Sequence, residues 1–484
     1  MNYRMLGRMI SQILFMEAAF MVPALYISLH DGNHDAIRGF LFSIVIIVAV
    51  AAVMYLICRK AKKEFYAREG LVCVGVSWML MSILGCLPFY ISGEIPKFID
   101  ALFEIVSGFT TTGASILPEV EKLSRGILYW RSFSHWVGGM GVLVFLLAVS
   151  TVGEKNAGFT MHLLRAESPG PNVSKLVPRM GQTAKILYII YIVLTILNFL
   201  FLLAGGMPAF DSVCTALGTA GTGGFGIKND SMASYSPYLQ NVCTVFMLLF
   251  GVNFSCYYLL LIKQFKAVFK DTELRMYIGM IVGSIVLIAI NVRDMYGTLE
   301  ETVRHVAFQV ASVITTTGFA TTDFDLWPSF SKSIMIFLMI IGACAGSTGG
   351  GLKCGRALLL YKSLKRNIRQ MLNPQKVQVV KNNGQKVSEK VLDNTNVYLV
   401  AYVFIVIVSF ILISVDGQTI TTNFTAVIAC FNNIGPGFDA VGPTRNFAMF
   451  SVGSKIVLIV DMLAGRLEIF PMLVLLSRST WKRR

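Results

Sequence analysis

"VSGFTTTGAS", Val106 to Ser115, sets three threonines and two glycines, with no charge, between hydrophobic segments. "ASVITTTGFATTDF", Ala311 to Phe324, repeats its Thr-Thr-Thr-Gly core much later in the chain. The surroundings are apolar: of 484 residues, 55% are hydrophobic and only 14% charged, with mean hydropathy +0.65. A soluble domain carries about 25% charged residues, so this chain lacks the polar surface to meet water all round. Successive apolar runs are long enough to cross a hydrocarbon core of about 30 Å. The composition describes a polytopic membrane protein surrounded by lipid.

The net charge of +15 is not spread evenly. Basic residues gather in "CRKAKKEFYAREG" from Cys58, around Lys155 to Lys185, in "LIKQFKAVFK" ending at Lys270, from Lys353 to Lys390, and in the terminal "WKRR". Intervening segments such as "HDGNHDA", His30 to Ala36, lean acidic or neutral. That alternation is the positive-inside pattern and places the basic loops in the cytosol. It accounts for the charge without nucleic acid, which remains an alternative only for the Lys353 to Lys390 stretch. The nine cysteines lie singly, with no Cys-x-x-Cys spacing, which favours neither a metal site nor a disulfide framework. The first apolar segment is too long for a signal-peptide core and reads as a retained span.

Two spans open the chain, about Met5 to Ser28 and Ala36 to Cys58. A unit then follows: a span at Leu71 to Ser92, the short apolar "IPKFIDALFEIV", the Thr-Gly run, and a span from Ile127 to Ser150. Twelve helical residues cover about 18 Å, little more than half the core, so the short piece is a half-helix. The unit recurs with "MPAFDSVCTAL" and "GTAGTGGFG", with "ETVRHVAFQVASVI" and "TTTGFATTDF", and with "TITTNFTAVIACF" and "NNIGPGFD". Its flanking spans are Thr183 to Gly205 and Ser236 to Lys263, then Leu274 to Val292 and a long segment from Trp327, then Val397 to Ile413 and Phe447 to Leu475. Aligning the loops equates Gly113, Gly223, Gly318 and Gly435. A phenylalanine precedes each, Phe103, Phe210, Phe308 and Phe424 in order, at spacings of ten, thirteen, ten and eleven residues.

The expected fold is therefore an all-α membrane protein with ten spans: an N-terminal two-span extension (1–70) and four pore repeats (71–182, 183–271, 272–390, 391–484). Both termini are then cytosolic, and every loop starts from the outer side. Irregular backbone at membrane depth is tolerated where it is buried in protein or lines a water-filled cavity. Four such loops around one axis offer a ring of carbonyls that can replace the water shell of a cation. Each half-helix would aim its negative C-terminal pole at that ring.

The motifs "SGFTTTGAS", "TAGTGGFG", "ITTTGFATTDFDLWP" and "NNIGPGFD" together resemble the Trk/Ktr/HKT superfamily of potassium transporters. The two extra N-terminal spans, with "RSFSHWVGGMGVLVF" (Arg131 to Phe145) and "GRLEIFP" (Gly465 to Pro471), point within it to the bacterial Trk membrane subunit. The resemblance covers essentially the whole chain. It implies potassium uptake across the bacterial cytoplasmic membrane, a homodimer with one pore per protomer, and no cofactor in the chain itself. It also implies a cytosolic regulatory subunit that binds a nucleotide, NAD(H) or ATP/ADP. Its selectivity filter would comprise Thr111, Thr112 and Gly113; Gly221, Thr222 and Gly223; Thr316, Thr317 and Gly318; and Asn433, Ile434 and Gly435. The fourth loop lacks the threonines, so a sodium-permeable or sodium- or proton-coupled member of the same superfamily is the alternative.

Two further passages interrupt the apolar pattern. "IGACAGSTGGGLKCGR", Ile341 to Arg356, breaks a span with consecutive glycines, each costing a helix about 1 kcal/mol relative to alanine. It is not a phosphate loop, because Leu352 separates Gly351 from Lys353. Close helix packing is one reading. By resemblance it is an intramembrane gate under the filter, formed by Gly346, Ser347, Thr348, Gly349 and Gly350. Arg466 lies in the apolar run "IVLIVDMLAGRLEIFPMLVLL", where an arginine needs a cavity or a partner. Glu468 or Asp461 is a candidate partner, while the resemblance places the arginine at the pore constriction. An enzyme reading finds no support, since the five histidines (30, 34, 135, 162, 305) are scattered and form no metal spacing.

Overall fold

The computed structural model describes residues 1–59, 67–141 and 180–481. Most of the Lys155 to Lys185 cluster, His162, the end of the span expected to reach Ser150, and the terminal Lys-Arg-Arg lie outside the described residues. Helix α1 (Tyr3–His30) and α2 (His34–Cys58) form a hairpin. Asn33 closes it, its side chain accepting from the Ala36 amide at 3.0 Å and so satisfying one donor of the α2 first turn.

The first repeat comprises α3 (Ala67–Gly85) with its short continuation α4 (Leu87–Ile91), the half-helix α5 (Phe98–Phe109) and α6 (Arg125–Met140). The second is α7 (Met180–Ala204), α8 (Ala209–Gly221), α9 (Pro237–Phe250) and α10 (Phe254–Leu261), followed by α11 (Phe265–Lys270). The third is α12 (Thr272–Asn291), α13 (Leu299–Ile314), α14 (Ser329–Ile341) and α15 (Cys354–Leu372). A two-stranded hairpin, β1 (Lys381–Asn382) with β2 (Gln385–Lys386), then precedes the fourth: α16 (Glu389–Ile413), α17 (Ile420–Phe431), α18 (Val452–Arg466) and α19 (Phe470–Leu476).

Six helices among the described residues are long and apolar enough to cross a membrane alone. The pair α9–α10, bent by 89°, makes a seventh crossing if counted as one. The ten expected crossings are thus not ten unbroken helices. The sequence predicts one interruption, in the third repeat, but the second spans of the second, third and fourth repeats are all broken, and α6 of the first ends short of a full span within the described residues. Helix α6 stops at Gly141 with φ +77°, α9 bends into α10, α14 and α15 are separated by residues 342–353, and α18 breaks at Glu468 and Ile469, both with positive φ.

Packing sorts the two faces. One continuous core joins α1, the half-helices and the inner spans. Outward, Val400, Phe404, Ile407 and Ile411 of α16 are exposed at spacings of three and four residues, an apolar stripe that suits lipid and not water. The half-helices are buried almost throughout and held close by glycine. A Cβ on Gly138 of α6 would strike the Phe109 carbonyl at the end of α5, and one on Gly465 of α18 would strike the corresponding Phe431 carbonyl of α17. Gly283 of α12, by contrast, faces open space. Gly465→Ala should therefore destabilise by about 1–3 kcal/mol through overpacking. Gly283→Ala should be neutral or stabilising by up to about 1 kcal/mol, and thermal unfolding of the two purified variants in detergent measures the contrast.

Candidate functional site

Each half-helix ends in the same cap. The amide of Thr112 bonds to Ser107 O at 2.8 Å, Gly223 to Gly218 O at 3.0 Å, Thr317 to Ser312 O at 2.8 Å and Ile434 to Ala429 O at 2.8 Å. These are the six-to-one bonds of a Schellman motif, which needs a left-handed residue just before the donor. That residue is Thr111, Thr222, Thr316 or Asn433, with φ between +55° and +58°. Two residues further along, Gly113, Gly224, Gly318 and Gly435 have φ from +69° to +95°. The glycine matching Gly113 is therefore Gly224, one residue beyond the Gly223 of the sequence alignment, and Gly221 is the last helical residue of α8. The cap fixes this register and the phenylalanines do not. Phe103 and Phe308 lie eight residues before the left-handed position, whereas Cys214 and Thr425 fill that place in the other two repeats.

The four loops close on one another. A Cβ on Gly113 would strike the Gly223 carbonyl oxygen, one on Gly224 the Thr317 oxygen, and one on Gly318 the Ile434 oxygen. One on Gly435 would lie 2.7 Å from the Thr112 oxygen, which returns to the first loop. Four glycines thus lie against four equivalent carbonyls in cyclic order. They share a cavity of about 110 Å³ above the ring, which Gly223 does not line. On the level of the left-handed residues, four buried side-chain oxygens are available, from three threonines and Asn433. Those of Thr111 Oγ1 and Asn433 Oδ1 find no hydrogen-bond donor among the described residues. Cross-repeat bonds tie the rim, including Met232 N to Ala320 O at 2.9 Å and Phe447 N to Ser115 O at 2.8 Å.

The helix poles are arranged for positive charge. Asp100, Asp211 and the pair Glu300 and Glu301 sit in the first turns of α5, α8 and α13, and no half-helix has a basic residue in its last turn. Three of the four outer ends are thus compensated, α17 having no acidic residue in its first turn, while the ends facing the ring keep their partial negative charge.

A buried polar frame supports the first two loops. Arg131 of α6 pairs with Glu104 of α5 at 2.7 Å, donates to Gly226 O at 3.2 Å and lies 4.0 Å above the Phe225 ring. Glu104 also accepts from the Ser115 hydroxyl and the Ile116 amide. His135 bridges the two loops. Its Nδ1 is 2.8 Å from Gly108 O and so donates, which leaves Nε2 to accept from the Phe225 amide at 3.3 Å. Sequence reading counted His135 only as one of five scattered histidines. Its position four residues after Arg131, on the same helical face, was the available signal.

Below the ring, residues 342–353 fill the axis. The Gly350 amide donates to Thr316 Oγ1 at 2.6 Å, and a Cβ on Gly350 would strike the Asn432 carbonyl. Thr348 Oγ1 donates to Phe250 O at 3.2 Å, and the Gly346 carbonyl accepts from the Phe254 amide at 3.0 Å. Ser347 folds back on Cys344 O, and a Cβ on Gly349 would lie 2.7 Å from Thr315 O. Lys353 is buried and donates to Gly349 O. Arg466, from the fourth repeat, donates to Thr348 O of the third at 2.7 Å and to Gly138 O and Gly139 O of the first. The acidic partners considered from the sequence are engaged by other groups: Glu468 by Arg356, and Asp461 by the Ser409 hydroxyl at 2.7 Å.

The chain as a whole has counterparts among known proteins. The sequence model of the TrkH family, described as cation transport protein, matches residues 37–482. The chain belongs to the TrkH family. Curated TrkH relatives include the Trk system potassium uptake protein TrkH of Salmonella typhimurium, 34% identical with 100% of both chains covered. The Trk system potassium uptake protein TrkI of Halomonas elongata is 30% identical, covering 96% of this chain and 94% of its own. The crystal structure of the potassium transporter TrkH from Vibrio parahaemolyticus superposes with a TM-score of 0.89 at 30% identity, covering 100% of both chains. The TrkH fold is thus established for the full chain, including the helical architecture expected from its repeats.

Removing one partner of a buried ion pair strands the other charge, at a cost of about 3–5 kcal/mol. Glu104→Gln and Arg131→Met should each lower the unfolding temperature sharply. The double variant should recover part of the loss, as thermal melts of the three proteins will show.

Proposed function

We propose that the loop ring is a potassium-selective filter, that ions enter the cell through it, and that residues 342–353 with Arg466 form its gate. The cyclic contact of Gly113, Gly224, Gly318 and Gly435 with the neighbouring carbonyls carries this reading. A cation on that axis meets carbonyl and hydroxyl oxygens and four uncompensated helix ends, which together replace water. In this reading the filter residues of the second loop are Thr222, Gly223 and Gly224, in register with Thr111 to Gly113, Thr316 to Gly318 and Asn433 to Gly435. Asn433 supplies an amide oxygen where the other loops present a hydroxyl, which answers the missing threonines of the fourth loop. The names of the relatives, Trk system potassium uptake proteins, support potassium as the transported ion.

Gly318→Ser brings a Cβ onto the Ile434 carbonyl and distorts one quarter of the ring. Potassium preference over sodium should fall, measured as flux into liposomes in potassium-only and sodium-only media. Unchanged selectivity at normal expression would remove this glycine from the filter, and a sodium preference in the unaltered protein would favour the sodium-permeable alternative.

The gate reading follows from Arg466, which bonds to the loop and to the first repeat from the fourth and sets a positive charge in the ion path. Repulsion of a cation is poorly screened at low dielectric. Arg466→Ala should raise potassium flux per folded protein. Loss of folded protein with unchanged flux per molecule would make the arginine structural.

The basic side of the molecule, carrying exposed Lys365, Arg369, Lys376, Lys381, Lys386 and Lys390, is proposed to face the cytosol and to dock an acidic, nucleotide-binding regulatory subunit. Lys353 and Arg356 are excluded from that surface, because both are buried at the loop. A homodimer, cytosolic termini and a bacterial inner-membrane location complete the proposal. Reversing several of the exposed charges together should weaken co-purification with the regulator and flatten its salt dependence.

A further inference from the structure

Neither the ring nor Arg466 accounts for how the far side of the intramembrane loop is held. Glu273, in the first turn of α12, accepts from the Ala345 amide at 2.6 Å. The same carboxyl group faces the first turn of α15, where a Cβ on Gly355 would lie 2.9 Å from Oε1 and 3.4 Å from Oε2. The exposed amides of a helix N-terminus favour an acidic group there. One side chain therefore joins the start of the loop to the helix that leaves it.

The residues just before Glu273 are fastened to the β-hairpin. Asn383, at its tip, accepts from the Thr272 amide at 3.0 Å and from its hydroxyl at 2.8 Å, and donates to Asp271 at 2.6 Å. The same Thr272 hydroxyl lies 2.7 Å from Asn382 Oδ1, so its one proton is shared between the two amide oxygens. Lys362 of α15 donates to Lys381 O at 3.1 Å and to Asn382 at 3.0 Å. Val380, Val387, Leu359 and Leu392 pack into a small core of their own beneath the hairpin. Hairpin, α15 and the start of α12 are thus fastened to one another, and Glu273 links them to the loop.

We propose that Glu273 is the clasp that keeps the intramembrane loop seated, and that the 381–386 hairpin is the handle through which a partner on the basic face releases it. This rests on the gate reading above. Glu273 is a positioning residue that touches the loop and not the ion.

The test uses the full-length protein in liposomes without a regulator, with two readouts. One is potassium flux per folded molecule. The other is labelling of Cys344 and Cys354 by a membrane-permeant thiol reagent, located by mass spectrometry, since both are buried when the loop is seated. Glu273→Ala should raise both by about tenfold, the scale of one lost hydrogen bond to an acidic group. Glu273→Gln keeps an oxygen for the Ala345 amide and should stay near the unaltered protein. Asn383→Gly keeps the left-handed backbone of the hairpin, removes its side-chain grip, and should raise both readouts in the same direction. Combined with Glu273→Ala, it should add nothing further. Unchanged labelling in Glu273→Ala, a glutamine variant that behaves like alanine, or independent addition of the two effects would overturn the clasp. If Glu273→Ala folds poorly, Glu273→Gln and Asn383→Gly carry the test, and no rise in labelling with Asn383→Gly overturns it. Raised flux and labelling in Arg466→Ala but not in the Glu273 or Asn383 variants would sink the clasp and keep the gate. Raised labelling without raised flux in Glu273→Ala would keep the clasp and sink the gate.

Discussion

The structure depends on one steric constraint: each loop glycine presses its Cα against the carbonyl of the next repeat, leaving no room for a Cβ. A ring closed in this way sets the distance between all four half-helices at once. The left-handed residues then follow. Each half-helix ends three or four residues before its glycine, and the Schellman cap sets that end by placing a left-handed residue two positions before the glycine. Glycine usually occupies that left-handed position, yet here it holds three threonines and an asparagine. Each such conformation costs on the order of 1–2 kcal/mol. What the substitution supplies in return is a buried side-chain oxygen at that level of each loop.

The same constraint explains the polar frame around the first two loops. Backbone that leaves a helix at membrane depth must find partners within the protein. Loops three and four lie against the intramembrane segment, where the Gly350 amide donates to the Thr316 hydroxyl and Gly350 abuts the Asn432 carbonyl. Loops one and two are framed by Arg131, Glu104 and His135. Buried charge is expensive in this setting, and here it is matched on every side by a carboxylate, carbonyls and an aromatic face.

Much of this was legible in the sequence, because the physics that fixes it is local. A half-helix is recognised by a length below the core thickness, and the loop by glycine and threonine where apolar residues are expected. The alignment slipped by one residue at Gly223 because two adjacent glycines look alike as letters and differ only in φ, which the cap determines. The interruptions of the second spans were missed for another reason. Gly141, Gly251 and the Glu468–Ile469 pair sit in apolar runs that hydropathy reads as continuous, while their breaks are matters of backbone dihedral and helix packing. The partners of Arg466 were unreadable in principle, since carbonyls carry no side-chain signature.

Pseudo-symmetry gives the last step. Four repeats share one cap and one ring, and a ring of equivalent contacts suits discrimination by size and charge, for which every side should be alike. Flow control needs the opposite. Among the described residues, the third repeat alone inserts a segment such as 342–353, and the fourth sends Arg466 to meet it and the end of α6. Those two departures lie on one side of the ring, on the face where the basic residues collect. On the proposed reading, a four-fold design keeps its selectivity elements symmetric and places its gate where a partner on that face would reach it.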